Sequence, residues 1–215
     1  PFAPESLSAV VLSHAHIDHA GRLPFLTREG FTGSIFATAA TRDLCAIMLA
    51  DSAHIQEKDA EFLRRKGQVG AEALYTQKDI GPLMNKMVGE PYDRTSNVAP
   101  GVTVTFVEAG HILGSASVVI DCTEGNETRR LVFSGDIGRW GLPIIRDPKP
   151  PQGGADAVIM ESTYGDRDHP PFVDMRDRLA SIIRETAAKG GRVVIPGFAG
   201  GRVQGIGYDL YGLVH

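Results

Sequence analysis

Ala9-Val10-Val11-Leu12, followed at once by Ser13-His14-Ala15-His16-Ile17-Asp18-His19, is the stretch on which the reading of this chain turns. The four apolar residues read as a short buried strand. The residues after them spell His-x-His-x-Asp-His. In extended backbone, positions two apart point the same way, so His14 and His16 can converge on one ion. Asp18 and His19 lie at the turn into the next helix and face elsewhere, so one segment could serve two neighbouring metals. Imidazole nitrogen and carboxylate oxygen are what a zinc-like divalent ion accepts. A lone histidine is more often an ordinary core or surface residue, but three this close, with an aspartate and small spacers, are poorly explained that way.

Further ligands must come from elsewhere in the chain. His111 lies in Ala109-Gly110-His111-Ile112-Leu113-Gly114-Ser115, just past a strand pattern, and its flanking glycines let the backbone turn tightly. Asp136 ends Phe133-Ser134-Gly135-Asp136, also at a strand end, and its two oxygens could bridge two ions. His54, His169 and His215 have no such company and read as incidental. Two adjacent ions lower the pKa of a shared water, so that hydroxide exists near neutral pH, and neutralise charge building on the attacked group. Asp18 is placed to orient that hydroxide or move its proton. The reaction class is metal-assisted hydrolysis; the ligands alone leave the substrate open.

The rest of the chain supplies the frame. Helices are expected over Ala20–Glu29, from Thr41 (as cap) through Lys66, and over Asp79–Val88. Strands are expected at Ser34–Ala37, Val102–Phe106, Ser117–Asp121, Leu131–Phe133, Ala157–Met160 and Arg192–Ile195. Asp174–Lys189 reads as a helix, and Gly201–Leu213 as one weakened by glycines. Helices first, then strands, then alternation give an α/β protein with layered sheets rather than a simple doubly wound fold.

Composition sets the outer limits. The 215 residues carry 22 Lys+Arg against 26 Asp+Glu, a net charge of −4, with 42% hydrophobic and 22% charged residues. Those are the proportions of a soluble globular protein of one large domain, or one domain and the start of another. No apolar run reaches the roughly 20 residues of a membrane-spanning helix. Cys45 and Cys122, far apart, build neither a disulfide framework nor a CxxC metal site, which fits a reducing cytoplasm. Pro1 to Ser8 is not a signal peptide. The acidic balance disfavours dense nonspecific nucleic-acid binding but leaves room for a local basic groove. The cluster Arg64-Arg65-Lys66 reads first as a solvated helix end and only second as a nucleic-acid contact. The chain begins at Pro1 without Met and closes on Leu213-Val214-His215 without a stop signal, so both ends are expected to be cut.

Taken together, His14-Ala15-His16-Ile17-Asp18-His19, Gly110-His111 and Ser134-Gly135-Asp136 resemble the metallo-β-lactamase superfamily. Glu161-Ser162-Thr163-Tyr164-Gly165-Asp166-Arg167 is similar to the first motif of its β-CASP nucleases, the group of the cleavage-and-polyadenylation endonuclease. Ile195-Pro196-Gly197-Phe198-Ala199 with Gly201-Arg202-Val203-Gln204 resembles the opening of their inserted domain. The resemblance implies an αββα sandwich, incomplete at its N-terminus, over 1–190, and the start of a β-CASP domain over 191–215. It implies two Zn2+: His14, His16 and His111 on one, Asp18 and His19 on the other, with Asp136 shared. Family elements not found in the chain, the opening strands with their Asp motif and the later histidine motifs, leave the second zinc site short of a ligand. Glu161 takes the place of an acid that supports a histidine assisting the leaving group, so Asp18 and Glu161 are the candidate catalytic carboxylates.

The implied activity is RNA cleavage, endo- or exonucleolytic, on single strands, in the cytoplasm and with no membrane. DNA stays open, and the resemblance is compatible with a homodimer or a seat in an RNA-processing complex. Two other readings stand beside it. One is a hydrolase of a small thioester, lactone or β-lactam, which has no reason to carry the Glu161–Arg167 and Gly201–Gln204 segments. The other is a non-catalytic subunit, which the full set of six ligands argues against.

Overall fold

The computed structural model describes residues 2–168, 175–197 and 201–214. His169, Asp174, Phe198, Ala199, Gly200, His215 and the side chain of Arg202 lie outside the described residues. The chain forms two compact units, Pro1–Trp140 with Ile145–Glu161, and Gly141–Ile144 with Ser162–His215.

The first unit holds β1 (Ala9–Val11), α1 (Ile17–Ala20), α2 (Leu23–Arg28), β2 (Ser34–Thr38), α3 (Ala39–Arg65), α4 (Gln77–Met84), β3 (Met87–Glu90), β4 (Thr95–Ala99), β5 (Val102–Glu108), β6 (Ala116–Glu124), β7 (Glu127–Phe133) and β8 (Ala157–Ile159). A three-stranded sheet runs β1-β2-β3, all parallel. A five-stranded sheet runs β4-β5-β6-β7-β8, antiparallel except for the parallel pair β7–β8.

Period-two alternation decides how the layers stack. In β2, Ile35 and Ala37 are fully buried among Leu23, Cys45, Leu49, Ala53 and Leu83 of the helices. Phe36, between them, turns the other way and joins Val11 against Val104, Phe106, Ala116 and Val118 of the larger sheet. The unit is therefore helices, small sheet, large sheet, and the chain is of the expected α/β class. Cys45 is buried, which pushes its thiol up to about 12 and leaves it inert.

Several boundaries differ from the sequence reading. The segment Ala20–Glu29 is not one helix: α1 already contains Ile17, Asp18 and His19, and α2 follows a break at Gly21-Arg22. The cap of α3 is Thr38, not Thr41; the Thr38 hydroxyl accepts from Thr41 N–H at 3.2 Å. The helix expected over Asp79–Val88 stops at Met84, and Met87-Val88 pair with β2 as a parallel strand instead. Strands β3 and β4 were not expected at all.

The second unit contains α5 (Met175–Ala188) and α6 (Arg202–Val214), joined by an ion pair from Arg176 Nε to Asp209 Oδ1 at 3.7 Å. The glycines of 201–213 do not prevent a helix there. Arg192–Ile195, expected as a strand, has irregular backbone, and Val194 is 85% exposed. Among the described residues, no helix is long and apolar enough to cross a membrane.

Candidate metal centre

Four of the six sequence-predicted ligands sit just beyond the end of a strand, and Asp18 and His19 lie on α1. His14 and His16 follow β1, His111 follows β5, and Asp136 follows β7. His14 is fully buried. Its Nδ1 lies 3.1 Å from Ser13 Oγ. With the proton on Nδ1, His14 donates to that hydroxyl and turns the Nε2 lone pair to the cluster.

Four side chains converge. His14 Nε2 lies 3.2 Å from His16 Nδ1, which lies 3.1 Å from His111 Nε2. Asp136 Oδ2 lies 3.6 Å from His14 Nε2 and 3.4 Å from His111 Nε2. All four donor atoms fall within 4.8 Å of one another. A tetrahedral zinc with bonds of about 2.0–2.1 Å sets its donors roughly 3.3 Å apart. Four of the six separations, at 3.1–3.6 Å, match that spacing, and three imidazoles with one carboxylate are donors such an ion accepts.

Asp136 divides its two oxygens. Oδ2 faces the three histidines, and Oδ1 lies 3.3 Å from His19 Nε2. His19 Nε2 in turn lies 3.6 Å from Asp18 Oδ2. Asp18 is 78% exposed, which puts its carboxylate on the solvent side. The structure thus brings together all six ligand candidates, in a cluster of four and a neighbouring pair that meet at Asp136. His54, with no comparable company, stays on α3.

Electrostatics favour the neutral, metal-ready form of the rings. Burial, then the neighbouring imidazoles of His19, His111 and His16, lower His14 to about 3. Burial also lowers His16, against the pull of Asp18 and Asp136. His111 is lowered by burial and by His16, opposed by Asp136 and Glu161.

Each loop is held by groups that sequence reasoning missed. The His111 and Ile112 N–H groups donate to Ser115 Oγ at 3.0 and 3.2 Å. Buried Thr38 and Thr41 direct their hydroxyls to Gly114 O at 2.6 and 2.8 Å. Tyr92 donates to Ser115 O at 2.9 Å, and burial together with the charge of Glu108 pushes its hydroxyl up, so it stays a donor. Glu108, itself buried, accepts from Gly110 N–H at 3.1 Å. Ala116 N–H donates to Ser13 O at 2.9 Å, which joins the first histidine loop to the larger sheet. Ser13, Gly114 and Ser115 belong to the recognised motifs, whereas Thr38, Thr41, Tyr92 and Glu108 lie outside them.

Glu161 closes the fourth loop. Its Oε1 accepts from Ile137 N–H at 2.6 Å, and its own N–H donates to Ser134 Oγ at 3.0 Å. The basic cluster Arg64-Arg65-Lys66 ends α3 at an exposed turn, where Arg64 donates to Ala71 O at 2.8 Å.

Comparison with known proteins places the chain in a family. Residues 2–194 match the family model of the β-lactamase superfamily domain. A ribonuclease of Thermus thermophilus is 36% identical over 210 residues, covering 98% of this chain and 44% of that protein. The transcription termination factor FttA of Methanocaldococcus jannaschii is 34% identical over 206 residues, covering 94% of this chain and 30% of that protein. The chain therefore spans less than half the length of these relatives. Among solved structures, a subclass B3 metallo-β-lactamase from a soil metagenome aligns with a TM-score of 0.38 and 19% identity, over 61% of this chain and 43% of that one.

Proposed function

This chain belongs to the β-lactamase superfamily, and on that premise we propose that it forms the metal-binding part of a zinc-dependent phosphodiesterase that cuts RNA. The observation that carries the reading is the meeting of two donor sets at Asp136, with Oδ2 toward His14 and His111 and Oδ1 toward His19. The ribonuclease name of the T. thermophilus relative supports RNA as the substrate. Zinc bound at such a site would lower the pKa of a bound water and offset negative charge on the group attacked.

The protein's own groups have distinct work. His14, His16 and His111 would hold one ion as neutral donors, and Asp18 and His19 would hold a second, with Asp136 shared. Asp18, exposed to solvent beside His19, would orient the attacking hydroxide or move its proton. Arg202 and the Arg64-Arg65-Lys66 cluster are candidates for phosphate contact, since a chain of net charge −4 must meet RNA through local cations. Residues 1–190 form the catalytic domain in this reading, and 191–215 open a β-CASP domain. A cytoplasmic setting goes with an RNA substrate.

The test is cleavage of end-labelled single-stranded RNA by the full-length protein with zinc, beside Asp136→Ala. Zinc-dependent cleavage that disappears in the variant is the expected result, and the product ladder separates internal from terminal cutting. A zinc-loaded protein that leaves RNA intact but cuts DNA or a thioester overturns the substrate assignment.

A further inference from the structure

Glu161 is the residue that the resemblance assigns to work on a partner histidine outside this chain. Its surroundings give it a nearer task. It stands two residues beyond β8, where Ile159 O already accepts from Ser134 N–H at 2.9 Å. From there Glu161 reaches the loop that carries Asp136 at two points. Its backbone N–H donates to Ser134 Oγ, two residues before Asp136, at 3.0 Å. Its Oε1 accepts from Ile137 N–H, one residue after Asp136, at 2.6 Å. The two bonds bracket Gly135-Asp136 from both sides. Ser134 Oγ is further fixed by donating to Gly135 O at 2.6 Å, and Ser134 O accepts from Ser117 Oγ at 2.8 Å.

We propose that Glu161 is a positioning residue that clamps the Ser134–Ile137 loop and so sets the aim of both Asp136 oxygens. This rests on the metal-site reading and adds to it. Asp136 has little freedom to lose: Oδ2 and Oδ1 must face two different donor sets, 3.4 Å from His111 and 3.3 Å from His19. A rotation that improves one contact spoils the other. Groups that orient a ligating carboxylate in this way typically contribute 10–100-fold in metal affinity.

What the clamp needs is an acceptor oxygen at the right reach, and charge is secondary. Gln keeps an oxygen at the same distance from the backbone, whereas Asp keeps the charge and withdraws the oxygen by one methylene. The order of variants therefore distinguishes a clamp from an ionic role. In the full-length protein, zinc affinity measured by competition with a chromophoric chelator should stay within about threefold of wild type in Glu161→Gln. It should fall by about 10–100-fold in Glu161→Asp and Glu161→Ala. Hydrogen exchange of the Ile137 amide, measured on the metal-free protein, should stay slow in the Gln variant and rise in the other two. That second readout needs neither zinc nor activity.

Equal zinc affinity and equal Ile137 protection in wild type and Glu161→Ala would overturn the clamp. So would loss in Glu161→Gln matched by retention in Glu161→Asp, which would assign the charge as the working feature. A wild-type protein that binds no zinc, or binds it equally well as Asp136→Ala, would instead remove the metal-site reading and the clamp with it. Loss of RNA cleavage in Glu161→Gln with full zinc affinity leaves the clamp standing and adds a second role for the carboxylate.

Discussion

Gly138→Ala would strike two ligand loops at once. The Gly138 N–H donates to Ala109 O at 2.8 Å, so the chain just after Asp136 lies directly on the chain just before His111. A Cβ at position 138 would fall inside the Gly110 carbonyl and 2.7 Å from His111 N. Reaching the ~3.5 Å of ordinary contact requires the two loops to part by up to about 2 Å. Loss of the hydrogen bond costs about 1 kcal/mol, and overpacking adds roughly 1–3 kcal/mol, so stability should drop by roughly 2–4 kcal/mol. The same displacement separates His111 from Asp136, whereas metal–ligand distances tolerate only about 0.2 Å. Zinc affinity should therefore fall by at least about tenfold. Urea unfolding of metal-free protein and chelator competition measure the two effects. Gly205→Ala is the control: among the described residues nothing beyond its chain neighbours and its own helix backbone lies within 4 Å of its Cβ position on α6, and there the substitution should stabilise by ~0.5–1 kcal/mol. A Gly138→Ala protein within ~0.5 kcal/mol of wild type and with unchanged zinc affinity would refute the contact between the loops.

Other expectations follow from single features of the structure. Thr41→Val keeps the shape of a fully buried side chain but removes one of two hydroxyls on Gly114 O; it should cost about 1 kcal/mol in denaturant unfolding and weaken zinc. Leu49→Ala, in the core between α3 and the small sheet, should cost roughly 2–5 kcal/mol while leaving the zinc affinity of the folded protein unchanged. In metal-free protein, His14 titrates near 3 when folded against 6.5 ordinarily. The unfolded chain then takes up the proton first, so this contribution is complete above about pH 6.5 and is lost as pH falls toward 3. Urea midpoints that do not move between about pH 7.5 and about pH 5 would contradict the burial of that ring.

What could be read from the sequence was local chemistry. The histidine cluster declares itself because ligands two apart on extended backbone need no knowledge of the fold. Strand β5 alternates visibly over Val102-Thr103-Val104-Thr105-Phe106, with Val104 and Phe106 turned into the core. The misses have the opposite character. Met87 and Val88 continue the spacing of Leu83 and Met84, so a helical period covers them, and only pairing of Ile35 with Met87 and Phe36 with Val88 makes them a strand. Thr95–Ala99 is an edge strand of mostly polar residues, held by its ladder to β5. Thr38 and Thr41 are equally good caps on paper; the backbone of Thr38, extended at φ −64° and ψ 154°, selects it. The support of His111 by Thr38 and Thr41 crosses 76 and 73 residues of sequence and leaves no local trace.

Those long-range ties answer a problem that the ligands create. Burial, and after it the neighbouring rings, lower the proton affinity of buried His14 and half-buried His111, and a carboxylate lies 3.4–3.6 Å from these two rings. The imidazole contacts at 3.2 and 3.1 Å carry a hydrogen bond only in the matching tautomer, and lone pairs turned toward one shared point attract only a cation. The geometry therefore has to be imposed from outside, and each loop carries its own fastening. Ser13 holds His14, Ser115 holds the His111 peptide, and Glu161 holds the peptide after Asp136. Ala116 N–H to Ser13 O and Gly138 N–H to Ala109 O lock the loops to each other. Packing in the helix layer stabilises the unit as a whole, whereas these fastenings fix distances between donors. Damage to the two should separate experimentally: Leu49→Ala lowers stability without changing metal affinity at saturating fold, and loss of a fastening changes metal affinity more than its cost in stability explains.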